Sequence, residues 1–120
     1  MEKMKVDYDQ KYDNLFFYLH NNDYEYSEFL NDSVALDFNE DKKPIGVEIS
    51  DASKEFKIKK QYLKSIKEGE IKIIIGEDYI KVSIKLYVKV HNKATTIEPI
   101  NIIGDNDFNI PSIETNMVIA

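Results

Sequence analysis

The acidic side chains between positions 37 and 48 have the spacing of a calcium-binding loop. Asp37, Asn39, Asp41 and Glu48 fall at relative positions 1, 3, 5 and 12, where an EF-hand places oxygen ligands. The sixth position is Lys42, however, and that loop needs a glycine there for its sharp turn. Both flanks alternate apolar and polar residues, a pattern typical of strands, whereas an EF-hand loop lies between helices. We therefore predict no metal site here.

Three further carboxylates near the N-terminus have the residue type for acid–base catalysis or metal binding. Asp7, Asp9 and Asp13 have no neighbour in the sequence that would raise one pKa selectively, and turn-forming Asp side chains explain their positions. His20 and His91 are each isolated and the chain has no cysteine, so neither a zinc site nor a catalytic triad is indicated. The four glycines are too widely spaced for a phosphate-binding loop. We expect a protein that is not an enzyme and binds no cofactor.

The acidic residues first considered belong to a predicted β-hairpin. One row of each strand is apolar: Val34, Leu36 and Phe38 in the first, Ile45, Val47 and Ile49 in the second. A short polar segment that ends in a proline separates the two strands. In this arrangement Asp37 and Glu48 share the outward face of the sheet.

A second hairpin is predicted from residue 4 to residue 19. Its first strand alternates apolar and polar residues, and its turn, residues 9–14, is rich in Asp and Asn. The following strand, Leu15 to Leu19, carries large apolar surface at all five positions. Because Phe16 and Tyr18 would otherwise face water, we expect this strand to be central and covered on both faces, by the helix, by the C-terminal half or by another subunit.

An ordered set of motifs in the first 55 residues resembles the family of unknown function called DUF2283. The motifs are Tyr8-Asp9, Asp13 to Leu19, Ala35 to Asn39 and Ile45 to Ser53. The resemblance covers residues 6–56 and differs from the family pattern at the hairpin turn, where Asp41-Lys42-Lys43 stands in place of Asp-Gly. It implies a small, mainly β domain of archaeal and bacterial proteins with no established activity. An antitoxin-like role is a further implication from some small members.

The rest of the chain predicts a short helix and more strands. Residues 57–67 have the pattern of a lysine-rich amphipathic helix that ends at Gly69, and its start is left open between Ser53, with Asp51 as a second capping residue, and Lys59. Strands are predicted at residues 70–75, 80–90, 95–103 and 114–119, the third being interrupted by a proline. We expect an α+β fold, mainly antiparallel sheet with about seven or eight strands and one short helix near residues 57–67, in a single domain 1–120.

Charge is distributed unevenly along this chain of net charge −6. Residues 1–53 hold 13 acidic side chains and 5 lysines, whereas residues 54–120 hold 9 acidic side chains and 11 lysines. All basic residues are lysines, and specific nucleic-acid binding is not expected, because bidentate recognition of guanine and phosphate favours arginine. One row of strand 80–90 contains Lys81, Lys85, Tyr87 and Lys89, which form either a basic docking stripe or a solvated face whose lysines discourage edge pairing.

These patterns favour a non-enzymatic binding or assembly module that forms a homo-oligomer, because the apolar strand surface exceeds what one helix covers. An antitoxin-like protein whose acidic N-terminal face binds a basic protein partner is an alternative, and an enzyme with an unrecognised carboxylate site is a second. The candidate interaction surface comprises Phe16, Tyr18, Asp37, Glu48, Lys81, Lys85, Tyr87 and Lys89. We expect a cytoplasmic location and no membrane partner, since neither a signal peptide nor a spanning apolar run is apparent.

Overall fold

The structure is a computed structural model that describes residues 2–19 and 24–119. Within these residues the chain forms ten strands and two short helices. The strands are β1 (Glu2–Asp9), β2 (Asn14–Leu19), β3 (Tyr24–Phe29), β4 (Val34–Asn39), β5 (Pro44–Ile49), β6 (Ile66–Ile75), β7 (Tyr79–Val90), β8 (Lys93–Thr96), β9 (Ile100–Asp105) and β10 (Ile113–Ile119). The helices are α1 (Ala52–Glu55) and α2 (Lys60–Leu63).

All ten strands belong to one sheet, in the order β3-β4-β5-β2-β1-β10-β6-β7-β8, with β9 also paired to β7. Neighbouring strands are antiparallel except β1 and β10, which run parallel and join the two halves of the chain. The N-terminal half therefore contributes five adjacent strands, and the C-terminal half contributes the other five.

The two hairpins predicted in the N-terminal half are confirmed. β4 and β5 pair antiparallel, and the apolar rows of both strands are buried, from Val34 to Phe38 and from Ile45 to Ile49. β1 and β2 form the other hairpin, and β2 pairs with β5 on its second edge, as expected for a central strand. Leu15, Phe17 and Leu19 point into the core, whereas Phe16 and Tyr18 are half-buried on the outward face.

The sheet curls so that its inward face encloses one hydrophobic core shared by both halves. The curl is visible where β9 meets the turn after β3, although these strands lie near opposite ends of the strand order. A Cβ atom placed on Gly104 would lie 3.3 Å from the carbonyl oxygen of Leu30. This close approach brings the two ends of the sheet together around the buried side chains.

The helical region differs from the prediction. Instead of one helix near residues 57–67, two four-residue helices, α1 and α2, precede β6, and each buries one apolar residue, Ala52 or Leu63. Gly69 does not end a helix but lies inside β6, where a Cβ atom would stand 2.8 Å from the carbonyl oxygen of Lys85. The sequence pattern assigned Gly69 to the end of a helix. The structure shows instead that glycine is needed at this position because β7 packs too closely for a side chain.

The number of strands was also underestimated. β3 was not predicted, and the segment expected as one interrupted strand at 95–103 forms the separate strands β8 and β9, with Pro99 between them. The β6–β7 hairpin and the last strand, β10, are confirmed. β7 has twelve residues, and the extra length lets it pair with both β8 and β9 along one edge.

His20 lies outside the described residues. In the described ranges, no helix has the length and apolar character to cross a membrane.

Candidate functional site: an acidic and aromatic groove

Two rows of side chains run across the outward face of the N-terminal half. On β3, β4, β5, β2 and β1 in turn, the first row is Phe29, Ala35, Glu48, Phe16 and Asp7. The second row, on the same five strands, is Ser27, Asp37, Gly46, Tyr18 and Lys5. The strand register thus brings together four of the predicted surface residues, namely Phe16, Tyr18, Asp37 and Glu48. Carboxyl groups occupy the middle of the face, with aromatic rings beside them.

The smallest side chains of the face lie at its centre and create a hollow. Ala35 is opposite Glu48, and Gly46 is opposite Asp37. A Cβ atom on Gly46 would lie 3.0 Å from Oδ2 of Asp37 and 2.8 Å from the carbonyl oxygen of Phe17. The absence of a side chain at Gly46 therefore makes room for the Asp37 carboxyl group over the strand.

The carboxyl groups belong to a hydrogen-bond network that begins at the edge strand β3. The Ser27 hydroxyl donates to Oδ1 of Asp37 at 2.5 Å and lies 3.4 Å from Oε2 of Glu48. The Tyr24 hydroxyl is 2.9 Å from the Ser27 hydroxyl. β3 thus adds a polar wall to the hollow, and Tyr24, which is 54% exposed, adds an aromatic ring at its rim.

Proximity of the two carboxyl groups changes the acidity of Glu48. The hydrogen bond with Asp37, followed by burial and by the negative charge of Asp37, raises the pKa of Glu48 from 4.5 to about 7, although the Ser27 hydroxyl opposes the rise. A carboxyl pair of this kind shares one proton, which it loses as the pH rises through a pKa of about 7. A cation that replaced this proton would find two carboxylates in place.

The resulting concavity has a volume of about 540 Å³ and is lined by Asp7, Phe16, Phe17, Tyr18, Tyr24, Asp37 and Glu48. We call it the acidic groove. Its aromatic rings offer faces that attract cations, and its carboxyl groups offer charge-assisted hydrogen bonds to N–H donors. The groove therefore has the chemistry to hold a cationic group on an aliphatic stem, such as a lysine side chain.

Comparison with known proteins places the chain in a family. The model of the family described as "Protein of unknown function (DUF2283)" matches residues 5–53. A protein of Methanosarcina mazei, named "Putative hypoxanthine phosphoribosyltransferase", is 36% identical over 107 residues, which cover 89% of this chain and 85% of that protein. The chain belongs to the DUF2283 family.

A second relative extends the same similarity beyond the matched segment. An uncharacterized protein of Methanocaldococcus jannaschii is 35% identical over 107 residues, or 85% of this chain and 91% of that protein. No solved structure matches the chain at a significant level. The DUF2283 segment therefore corresponds here to β1 through β5 and the start of α1, and the similarity to both relatives continues into the C-terminal half.

The structure explains why the DUF2283 motifs near Tyr8, Asp13 and Ser53 occur together. Asp13 is 6% exposed, and its carboxylate accepts hydrogen bonds from the Tyr8 hydroxyl at 2.6 Å and the Ser53 hydroxyl at 2.6 Å. The backbone amide of Ser53 also donates to this carboxylate, at 3.0 Å, and that of Ala52 donates to the Asp13 carbonyl, also at 3.0 Å. Asp13 thus caps α1 from the β1–β2 turn.

This cap corrects the expectation that Asp51 and Ser53 are the capping residues of the helix. Asp51 has a left-handed φ of 52° and makes no side-chain cap hydrogen bond. Burial alone would raise the pKa of Asp13, but the hydrogen bonds from Ser53 and Tyr8 outweigh it and hold the pKa below its usual range. The same burial, with the hydrogen bond to Asp13, raises the pKa of Tyr8. Asp13 in this DUF2283 protein is therefore a structural residue.

The other half of the predicted surface lies elsewhere in the DUF2283 protein and has mixed charge. Lys81, Lys85, Tyr87 and Lys89 are on the outward face of β7. Lys85 is opposite Glu70, and Tyr87 is opposite Glu68, so carboxylates of β6 accompany the row. Lys85 lies over the Tyr87 ring, with Nζ 5.6 Å from its centroid. The structure does not unite this row with the groove residues into one surface.

The calcium-like spacing also has a structural explanation. The side-chain oxygen of Asn39 accepts the backbone amides of Asp41 at 2.9 Å and Lys43 at 3.0 Å, and so closes the β4–β5 turn. Across residues 2–19 and 24–119, no group of three or more acidic or histidine side chains is arranged to hold a metal ion. His91 lies in the turn between β7 and β8 and is exposed.

The sequence prediction missed Tyr24 and Ser27 because it missed β3. Aromatic residues at 24 and 26 alternate with Glu25, which is a strand-like signal. A bulge between Tyr24 and Tyr26 then shifts the alternation, so the pattern is broken within six residues. Only the pairing of β3 with β4 reveals that the Ser27 hydroxyl reaches the carboxyl pair and that the Tyr24 hydroxyl contacts Ser27.

Proposed function

We propose that this DUF2283 protein is a binding module whose acidic groove holds a lysine-bearing segment of a protein partner. The observation that carries the proposal is the carboxyl pair of Asp37 and Glu48 beside the half-buried rings of Phe16 and Tyr18. A lysine side chain has an aliphatic stem that packs on aromatic rings and an ammonium group that donates three hydrogen bonds. The groove supplies a complement to each part.

The charge of the surroundings supports a basic partner. The N-terminal segment, residues 1–53, has eight more acidic than basic side chains, and Asp7 adds a third carboxylate at the rim of the groove. Such a field increases the association rate of a positively charged segment and disfavours an anionic one. Lys5, opposite Tyr18, and Lys3 are exposed basic residues on the outward face of β1.

We expect the lysine-bearing segment of the partner to bind in an extended conformation. The groove runs along the outward face of a sheet, beside the edge strand β3, and Tyr24 and Tyr18 stand at different positions along it. A segment in an extended conformation presents alternate side chains to such a face. A lysine directed at Glu48 would then be followed, two residues later, by a second contact on the same side.

A titration with lysine peptides tests this proposal. A short fluorescent peptide with two lysines at alternate positions should bind, and the same peptide with glutamines should not. The variants Phe16→Ala and Asp37→Asn should each weaken binding by about tenfold, because each removes one half of the lysine contact. Tyr12→Ala and Glu70→Gln are matched controls, since Tyr12 is exposed in a turn and Glu70 lies on the other half.

The outcome is decisive in either direction. Salt-sensitive binding that both groove variants weaken, and that both controls retain, would support the module. Equal binding of the lysine and glutamine peptides, or equal loss in groove and control variants, would contradict it.

A second candidate comes from the name of the Methanosarcina mazei relative. Transfer of a phosphoribosyl group would bring an anionic substrate to this chain, and the acidic groove would repel it with Asp7, Asp37 and Glu48. The groove thus favours the binding module over that activity. An assay with hypoxanthine and phosphoribosyl pyrophosphate tests the alternative: turnover that Glu48→Gln abolishes would favour the enzyme over the binding module.

A further inference from the structure

The long β7–β8 hairpin ends in an exposed, positively charged tip. Val90 is opposite Lys93, and the two residues between them, His91 and Asn92, have φ values of 51° and 62°. Two successive left-handed residues in a two-residue connection are typical of a type I′ hairpin turn, whose twist matches that of the strands. The tip is therefore well defined in shape.

The basic character of this end extends beyond the turn. Lys89 and Lys93 are exposed on the hairpin, and Lys64, which follows α2, and Lys67, in β6, are exposed next to it. We call these four lysines the basic tip. The ion pairs found in the described part of the chain join Lys43 to Glu2 and Lys72 to Glu114, so neither includes a basic-tip lysine.

We propose that the occupant of the acidic groove is the basic tip of a second copy of this chain. The inference rests on the proposed function and names the partner. β8 has what the groove requires: it is extended, all four of its residues are exposed, and lysines flank its turn. Charge complementarity joins the acidic groove of the N-terminal half to the lysines of the C-terminal half.

Such a contact is head-to-tail, because it uses different surfaces on the two copies. Each copy in a pair would retain one free groove or one free tip, so association continues into a ring or an open chain of copies. A symmetric contact between two grooves is disfavoured, since it would bring Asp7, Asp37 and Glu48 of one copy against the same residues of the other. The homo-oligomer expected from the sequence thus acquires a specific geometry.

Two complementary variants test the contact. Asp7→Lys reverses a charge at the groove rim, and the double variant Lys89→Glu with Lys93→Glu reverses the tip. All three residues are exposed, so these substitutions leave the core untouched. Each variant alone should be monomeric in sedimentation velocity, whereas the unaltered chain should form species larger than a dimer at high micromolar concentration and low salt.

The mixture of the two variants gives the sharpest result. A copy with a reversed groove keeps an unaltered tip, and a copy with a reversed tip keeps an unaltered groove, so an equimolar mixture should form hetero-oligomers in native mass spectrometry although neither variant associates with itself. Absence of hetero-oligomers in the mixture, or self-association that both variants retain on their own, would overturn the head-to-tail contact.

The failure of this inference is distinguishable from the failure of the proposed function. If the unaltered chain stays monomeric at low salt while the lysine peptide binds the groove, the partner is another protein and the second-copy proposal is wrong. If the chain stays monomeric and the peptide does not bind, both proposals are wrong.

Discussion

Glu48 and Asp37 share the Ser27 hydroxyl, which lies 2.5 Å from Oδ1 of Asp37 and 3.4 Å from Oε2 of Glu48, although the two acidic residues are not opposite each other in the sheet. Asp37 faces Gly46 across the strands, and Glu48 faces Ala35. The two carboxyl groups therefore meet diagonally, above a position that lacks a side chain and beside one that has only a methyl group. Their pairing depends on small neighbours as much as on the acids themselves.

The pKa of Glu48 predicts how stability depends on pH. Because its folded-state pKa is raised to about 7, its contribution to stability is fully present below the unfolded value of 4.5 and is lost as the pH rises through about 7. Glu48→Gln should remove this loss. From pH 5 to pH 8, the free energy of unfolding of the unaltered chain should fall by about 1 kcal/mol relative to that of the variant. This figure is reduced because solvent screens the partly exposed carboxyl pair.

Urea denaturation at the two pH values measures this change. Glu70→Gln, on the outward face of the other half, shows what the removal of an exposed carboxylate does by itself. If Glu48→Gln and Glu70→Gln shift stability in parallel at both pH values, the carboxyl pair does not control the effect.

Peptide binding should depend on the same proton. A lysine ammonium group needs an ionised Glu48, so affinity should rise as the pH passes through about 7. For a single group with that pKa, we expect up to about a tenfold gain from pH 6 to pH 8. Fluorescence anisotropy over this range should give a rising curve for the unaltered chain and a flat one for Glu48→Gln. A flat curve for both would mean that Glu48 does not touch the ligand.

Substitution of Asp13 should destabilise the fold, because its carboxylate is buried and accepts hydrogen bonds from Tyr8 and Ser53. Asp13→Ala should lower the free energy of unfolding by about 3 kcal/mol, because it leaves buried hydrogen-bond donors without an acceptor. It also places alanine at a left-handed φ of 56°. Asp13→Asn should cost less, because asparagine tolerates this φ and retains an acceptor.

Acid unfolding separates the charge of Asp13 from its shape. The lowered pKa means that its stabilisation is present above the unfolded value of 3.8 and is lost as the pH falls through the folded value. Asp13→Asn should therefore unfold less steeply with acid than the unaltered chain does. An equally steep acid transition in Asp13→Asn would show that other groups govern it.

Gly46→Ala should destabilise the protein more than Gly104→Ala. A Cβ atom at Gly46 would meet backbone oxygen at 2.8 Å, whereas one at Gly104 would meet its nearest atom at 3.3 Å. We expect a loss of about 2 kcal/mol or more at Gly46 and less than about 1 kcal/mol at Gly104, by thermal unfolding. Similar losses at both sites would contradict the requirement for glycine at position 46.

The alternation of residues predicts the N-terminal hairpins well, because each strand has one buried row and one outward row. Val34 to Phe38 and Ile45 to Ile49 show this period in full, so even the shared face of Asp37 and Glu48 follows from the sequence. Central placement of β2 follows equally from its apolar residues on both faces. In these strands the alternation of apolar and polar residues in the sequence agrees with the buried and outward faces in the folded protein.

The failures have tertiary causes. Gly69 resembles a helix stop in the sequence, but only the approach of Lys85 from β7 shows that a side chain does not fit there. Lysines at residues 57–67 suggest one amphipathic helix, but Lys57 has a left-handed φ of 54°, which separates α1 from α2, and β6 begins as early as Ile66. The bulge in β3 breaks the period-2 pattern, so the sequence does not show that Tyr24 and Ser27 lie on the same strand beside the groove. Their contribution of polar groups to the groove was therefore not predicted.

The parallel pairing of β1 and β10 also bears on how the protein is made. β1 is synthesised before the other nine described strands, and one of its edges pairs with Leu15 to Leu19 shortly afterwards. Its other edge pairs with Met117 to Ile119, and those residues leave the ribosome more than a hundred residues later. A nascent chain that has already folded its N-terminal half would carry an unpaired edge of β1 throughout this interval, and such an edge is a target for chaperones and for misassembly between chains.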